Sequence, residues 1–477
     1  MTLSRLEPFI DGARVAQAGA TITLVSPVDL SPAAELTEAD AQCVRRATES
    51  AHAAYLANRK ASLAQRVQWL NAAAAAVEKA APEITEMLIR DIGKPRRAAA
   101  FEANRSAAFL RTTAAEVLSL RGETIPVDAA PAGAGRIGFT RRHPYGVVAG
   151  ITPFNAPINL LMQKVAPALV AGNAIVVKPH PAGTRVALRV AELFTASGLP
   201  KGLFNVLTGD RAPAAALVAD ERVMAITFTG GTAAGDALAR AAGAKKFLAE
   251  LGSSAANIVL ADADIADAAK RIAPAAFEAS GQQCISAQRI IVEASVYDAF
   301  LAAFVAATRA LKVGDPADEA TDVGPMVSMA AADRVMAMVE DARRRGAHIA
   351  LEPQRRDCLV SPGIITRAPR DASVWRDEAF GPLVTVEPAR DADEALAMAN
   401  DSPFGLQGAV FTRSLKQAMR FSEDFEVGSL WVNEASRFRL DMYPFGGAKR
   451  SGFGREGVRY AIEELSQLRF TGMRFDT

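Results

Sequence analysis

Apolar and polar positions divide this chain into segments of different period. From Thr37 to Leu120 apolar residues recur every three or four positions between charged ones in an Ala-rich context, and that spacing predicts three long helices. Residues 122–138 hold Pro126, Pro131, several glycines and few large apolar side chains, and the RIGFTRRH that follows alternates as a protruding strand does. Beyond Pro144 short β-branched runs take over, each followed by a helical stretch: GVVAGI, AIVVK, FNVL and VMAITFTGG. Strands alternating with helices at this spacing predict a parallel sheet. A second such series after Gly252 runs through IVL, RIIVE, LVTVE, AVFT and SLWVN, with helices from Asp264 and near Tyr297 and Ala330, and predicts a second α/β unit. The closing SQLRFTGMRF alternates once more, and a terminal strand of this kind needs a neighbour to pair with, which points to docking on another subunit.

Composition narrows the function classes. The chain has 477 residues, half of them hydrophobic, with 54 Lys+Arg against 53 Asp+Glu and a formal net charge of +1. That is enough for two or three domains, and it gives no general pull toward nucleic acid or anionic membranes. The longest uncharged stretch, 144–163, is broken by Pro153, Pro157, Asn155 and Asn159, so no membrane span is expected, and the N-terminus lacks the apolar core of a secretion signal. Three cysteines, Cys43, Cys284 and Cys358, form no even framework and no Cys-x-x-Cys pair, which suits a reducing cytoplasm. The histidines His52, His143, His180 and His348 lack the i, i+4 spacing of a zinc helix, and no metal is expected.

Five places carry candidate chemistry. Cys284, in EASGQQCISAQR, follows a helix among small side chains that would let a substrate approach a thiolate, although on base rates a cysteine taken alone is an inert buried one. Glu250 ends the strand KKFLAE at the sheet edge where open α/β sheets bind ligands, as a base or as a solvated strand end. Asn155 sits between Pro153 and Pro157, either as a turn former or as an amide donor to an oxyanion, a contact worth about 3–4 kcal/mol. Thr229-Gly230-Gly231-Thr232 opens a helix after a strand and would aim free N–H groups at a phosphate, or is a plain glycine turn, since it departs from the G-x-G-x-x-G pattern. Lys178 closes AIVVK as a strand end or a donor to ribose hydroxyls.

Taken together, TPFNAP, VVKP, FTGG, LAELG, GQQC, EAFGP and PFGGAKRSGFGREG, in this order across the chain, resemble the aldehyde dehydrogenase superfamily. The resemblance implies an α/β fold with a Rossmann-type cofactor domain (1–121 and 145–251), an α/β catalytic domain (252–452) and a small β bridging domain (122–144 and 453–477) that joins subunits into a homodimer or homotetramer. By the same carry-over Cys284 is the nucleophile, Glu250 the general base, and Asn155 with the Cys284 N–H the oxyanion hole. NAD or NADP would be held by Lys178 at the adenine ribose, Gly230 and Gly231 at the pyrophosphate, Glu378 at the nicotinamide ribose and Phe380 at the ring. Thr152, Pro153, Phe154, His180, Phe228, Thr229, Ala234, Leu251 and Gly252 complete that set. Pro181 stands where NAD-preferring relatives often carry Glu, leaving NADP open and His180 as a neighbour for its phosphate; Gly231 stands where Ser is usual, and Ser253 where Gly is.

The stretch 431–457 is most similar to the branch of lactaldehyde, phosphonoacetaldehyde and non-phosphorylating glyceraldehyde-3-phosphate dehydrogenases. This implies a small polar or anionic aldehyde, with Arg105, Arg437 and Arg439 as candidates for binding its anion. Against a phosphorylated substrate, Gln283 and Ala156 replace the Arg and His of phosphate- or phosphonate-binding relatives. Two other readings remain: a coenzyme-A-acylating dehydrogenase, for which a hydrolytic base is dispensable, and a non-catalytic protein on the same scaffold.

Overall fold

A computed structural model describes residues 3–17 and 19–475. Its largest sheet has eight strands in the order Gly452–Phe453, Lys246–Glu250, Val223–Thr229, Val147–Thr152, Ala174–Pro179, Phe204–Val206, Phe9–Ile10 and Ala13–Arg14. The central strands from Lys246–Glu250 to Phe204–Val206 are all parallel. Val147–Thr152 and Ala174–Pro179 are buried at every position, which is why they read as unbroken apolar runs: helices cover both faces of a parallel sheet. Chain order runs outward from Val147–Thr152 in both directions, so the sheet reverses between that strand and Val223–Thr229. In doubly wound sheets the ligand crevice lies at this reversal, beyond the carboxyl ends of the strands.

The second sheet has seven strands, ordered His348–Leu351, Gly363–Thr366, Leu383–Ala389, Arg289–Glu293, Ala256–Val259, Gln407–Phe411 and Ser429–Val432. All its pairings are parallel except that of His348–Leu351 with Gly363–Thr366. Both α/β series expected from the sequence are thus present.

Two expectations need correction, and one stretch without an expectation is ordered. The Ala-rich region holds four helices rather than three: Ala41–Asn58, Leu63–Lys79, Ala81–Ile92 and Arg96–Ala115. Pro82 sits in the first turn of the third, where a missing N–H costs nothing, and Gly93 ends that helix with φ of 67°. The N-terminal residues, unread in the sequence, form a three-stranded sheet, Arg5–Leu6, Pro32–Thr37 and Thr21–Val25, and an Asp11-Gly12 hairpin that extends the large sheet. Finally, 453–477 is not all bridge. Gly452–Phe453 pairs with Ala249 and Glu250, and Val458, Ile462 and Leu465 enter the core of the large-sheet unit. Only Ser466–Arg474 joins the arm, paired antiparallel along its whole length with Arg136–Pro144. There Ile137, Leu468, Phe470 and Met473 stand exposed.

Candidate active site

A cleft of about 700 Å³ opens at the sheet reversal, and Cys284, Glu250 and Asn155 all line it. So does every residue expected at the dinucleotide: Thr152, Pro153, Phe154, Lys178, His180, Phe228, Thr229, Gly230, Gly231, Ala234, Leu251, Gly252, Glu378 and Phe380.

Cys284 is delivered by an unusual turn. The helix Ile265–Phe277 ends, and Ala279, Ser280 and Gly281 then take φ of 51°, 60° and 64° in succession. Gly281 is obligatory, since a Cβ there would lie 2.3 Å from the Gly381 carbonyl oxygen. Ser280 Oγ donates to the Gly324 carbonyl at 2.6 Å, and Gln282 Oε1 accepts from the Val327 N–H at 3.0 Å, bracing the turn. The half-buried Cys284 packs against Ile285, Leu406 and Phe445. Burial pushes its thiol up to about 12, with Arg439 the cation that opposes the shift. The resting group is a neutral thiol that needs a proton acceptor to become a nucleophile.

Glu250 is only 2% exposed, which removes the solvated-strand-end reading. Neither carboxylate oxygen has a hydrogen-bond partner. Burial first, and the nearby Glu456 second, raise its pKa well above the ordinary value, against the pull of Arg439, Lys164 and Arg455. Glu456 itself, despite burial, is held low by Lys164 and Arg439, whose nitrogens each lie 3.1 Å from it. Of two neighbouring buried carboxyls one is bonded by two cations and drawn toward its ionised form, while the other has no partner and is pushed toward its protonated form.

The Asn155 loop is anchored from below. Lys94 Nζ donates to the Asn155 carbonyl at 2.9 Å and pairs with the buried Glu102, whose other oxygen accepts the N–H groups of Ile158 and Asn159 at 3.0 and 3.1 Å. A carboxylate on the first turn of helix Asn159–Ala171 complements its dipole and fixes where Asn155 sits.

At the dinucleotide end one detail differs from expectation. The Gly230 N–H is not free, because it donates to the Glu250 carbonyl at 3.0 Å; donors for a phosphate fall instead to the start of helix Thr232–Ala242. A Cβ on Gly231 would meet nothing, so Gly there answers no steric demand. Ser253 acts through its backbone, donating 3.0 Å to Glu378 Oε1, and burial raises the Glu378 carboxyl to about 7. Lys178 is buried, its amine lowered to about 8 by desolvation. Desolvation and Lys178 together take His180 down to about 4, and its Nδ1 accepts from the Ala182 N–H at 3.2 Å, so it sits there as a neutral ring. The cleft therefore fits a dinucleotide: apolar walls, a helix start near its middle and buried polar groups at both ends.

The three candidate anion binders are arranged differently. None lines the cleft, and each already faces a carboxylate. Arg105 forms a two-pronged pair with Asp441, at 2.6 and 3.2 Å. Arg437 meets Glu278 at 2.6 Å and Gln283 at 3.1 Å. Arg439 donates to Glu456 at 3.1 Å and Gln163 at 2.6 Å, and stacks over Phe445. Residues the sequence reading missed are Asp210, Arg211 and Arg334, all on the cleft wall. Arg211 was findable, because it opens helix Arg211–Ala219 just beyond a strand end.

Sheet, crevice and lining define a dinucleotide-dependent enzyme. Residues 14–471 match the model of the aldehyde dehydrogenase family. The chain is 42% identical over 439 residues to 3-sulfolactaldehyde dehydrogenase of Priestia megaterium, covering 92% of each. It is 34% identical over 466 residues to lactaldehyde dehydrogenase of Methanocaldococcus jannaschii, covering 97% of this chain and 98% of that one. The crystal structure of NADP-dependent glyceraldehyde-3-phosphate dehydrogenase from Bacillus halodurans, complexed with NADP, superposes with a TM-score of 0.96 at 31% identity, covering 98% and 99% of the two chains. The chain belongs to the aldehyde dehydrogenase family, enzymes that oxidise aldehydes with NAD or NADP. Among the described residues no helix is long and apolar enough to cross a membrane.

Proposed function

We propose that this enzyme oxidises a small polar or anionic aldehyde to its carboxylic acid, with Cys284 as nucleophile, Glu250 as base and Asn155 as oxyanion donor. The observation that carries the reading is the buried, unpartnered carboxyl of Glu250 opening on the same cleft as Cys284. The Cys284 thiol passes its proton to solvent, the thiolate bonds to the carbonyl carbon as the carbonyl electron pair moves onto oxygen, and the resulting oxyanion is received by the Asn155 amide and the Cys284 N–H. Lys178, Glu378 and Phe380 hold the dinucleotide, whose nicotinamide ring supplies the hydride acceptor when bound. The acyl group left on sulfur is a thioester. In its ionised form Glu250 takes a proton from water as that water attacks the acyl carbon, the C–S bond breaks, and the proton passes from Glu250 to the departing sulfur, so that the acid leaves with the thiol restored.

The relatives' sulfonated and hydroxylated aldehydes support the substrate class. Lys178 and Arg211 put two cations at the end of the cleft, beside one carboxylate, Asp210, with none at Pro181, which supports NADP use beside NAD. The exposed apolar residues of the arm suit pairing into a homodimer or homotetramer, and the unpaired cysteines suit the cytoplasm. Domain limits follow the sheets: the cofactor unit around the eight-stranded sheet, the catalytic unit around the seven-stranded one, and a bridge made of 122–144 with 466–474.

The test is a kinetic panel crossing NAD and NADP with 3-sulfolactaldehyde, lactaldehyde, sulfoacetaldehyde, succinic semialdehyde and glyceraldehyde 3-phosphate, with and without coenzyme A. Highest kcat/KM on a small anionic or hydroxylated aldehyde, without coenzyme A, is expected. Strict dependence on coenzyme A would overturn the hydrolytic role of Glu250.

A further inference from the structure

The wall of the cleft opposite the Asn155 loop contains a backbone conformation that needs an explanation. Phe380 has φ of 41°, in the left-handed region that an aromatic residue seldom enters. Something must hold it, since such strain persists only where the surroundings over-determine it. Two side chains brace it: the buried Gln288, whose amide oxygen accepts from the Ala379 N–H and whose amide nitrogen donates to the Asp377 carbonyl, each at 2.8 Å, and Arg334, from helix Met329–Arg344. Its guanidinium donates to the carbonyls of Glu378 at 3.1 Å, Ala379 at 2.6 Å and Phe380 at 3.4 Å, three successive residues. A planar fork of donors can bridge carbonyls in this way, whereas a lysine ammonium, a compact point donor, cannot span them equally well.

Two further contacts tie this turn to the nucleophile. Gly381, the next residue, lies against Gly281 so closely that no Cβ fits between them. The helix bearing Arg334 is also joined to the Cys284 turn through the segment before it, where Gly324 accepts from Ser280 and Val327 donates to Gln282. Glu378, whose carboxyl is set by the Ser253 N–H, and Phe380, whose ring meets Phe154 edge-on at 5.7 Å, are the two groups that this turn presents to the cleft.

We propose that Arg334 is a positioning residue for the nicotinamide half of the cleft: it clamps the 378–380 carbonyls, holds Phe380 in its left-handed conformation, and sets Glu378 and Phe380 in register with the Cys284 turn. The inference rests on the reading of this cleft as the dinucleotide site. The end around Lys178 and His180 takes no hydrogen bond from Arg334 and meets Phe380 only through the intervening Phe154 ring, and from this follows a split that general loss of structure would not produce.

The experiment compares Arg334→Met and Arg334→Lys with the parent enzyme, measuring binding of NADPH or NADH by fluorescence, binding of adenosine monophosphate by calorimetry, and the rate of Cys284 alkylation by iodoacetamide. Arg334→Met should weaken reduced-dinucleotide binding about tenfold while leaving adenosine monophosphate within about twofold, the size expected from losing charged hydrogen bonds at one end only. Alkylation of Cys284 should lose the change that dinucleotide binding brings in the parent, and Arg334→Lys should recover part of both effects. Equal weakening of both ligands, or no change in either, would overturn the clamp. If Arg334→Met does not fold, Arg334→Lys decides alone: unaltered dinucleotide affinity with unaltered Cys284 alkylation contradicts the proposal. Failure of the parent to bind any dinucleotide would instead overturn the reading of the cleft.

Discussion

The dinucleotide wall and the arginine trio make an instructive pair. Every residue expected at the cofactor lines one cleft, whereas Arg105, Arg437 and Arg439 all lie off it, each balanced by a carboxylate. Most of the first set occupies strand ends of the large sheet and the turns after them, positions that topology sends to one edge of that sheet, while Ala234 lies in the next helix and Glu378 and Phe380 come from the turn before Leu383–Ala389 of the other sheet. The second set depends on which side chain meets which, and Asp441, Glu278 and Glu456 come from three separate segments. Cleft residues are placed by the backbone; charge partners are chosen by tertiary packing.

The sharpest way to break this contrast is at the cleft. Cys284→Ser should lower aldehyde oxidation at least about 10³-fold while dinucleotide binding stays within twofold of the parent, measured by steady-state assay and fluorescence titration. Asn155→Ala should cost about 10²-fold in kcat, with KM little changed, if its amide serves the oxyanion and not the ground state. On the arginine side smaller effects are expected. Asp441→Asn would release Arg105, and KM for a sulfonated aldehyde should fall about threefold while that for lactaldehyde stays constant, because a partly buried guanidinium gains a free anion-binding face. No difference between the two substrates would remove Arg105 from the substrate site.

The pH dependence of stability gives a quieter test. Glu250 has a raised pKa in the folded protein, so its protonated form favours folding: that contribution is full below the ordinary value of 4.5 and is lost as pH rises through the folded value. Thermal melts of Glu250→Gln should therefore exceed the parent's midpoint more at pH 9 than at pH 6. A constant difference would mean that the carboxyl titrates normally.

Much of this was legible from one strand of text. The alternation of β-branched runs with helical stretches announces both parallel sheets, and Glu250, Lys178 and Thr229 are readable as strand ends because the apolar run stops there. What was illegible has physical causes. The burial of Glu250 comes from Gly452–Phe453 returning to pair beside it, two hundred residues on, and nothing in KKFLAELGSS signals that strand. The N-terminal sheet escapes because Arg5–Leu6 is too short to show a period, although the Asp11-Gly12 pair, with φ of 54° and 78°, is a hairpin signal that could have been read. Arg334 looks like one more charge on an amphipathic helix until the 378–380 carbonyls arrive beneath it.

In the proposed mechanism one sulfur carries the substrate and one carboxyl frees it. It is tested most directly by mixing the Glu250→Gln enzyme with aldehyde and oxidised dinucleotide, quenching in acid within a second, and weighing the Cys284 peptide. A stoichiometric burst of reduced dinucleotide is expected, with an acyl group on Cys284 that persists for want of a base; an unmodified Cys284 peptide alongside steady, parent-like turnover would remove both residues from these roles.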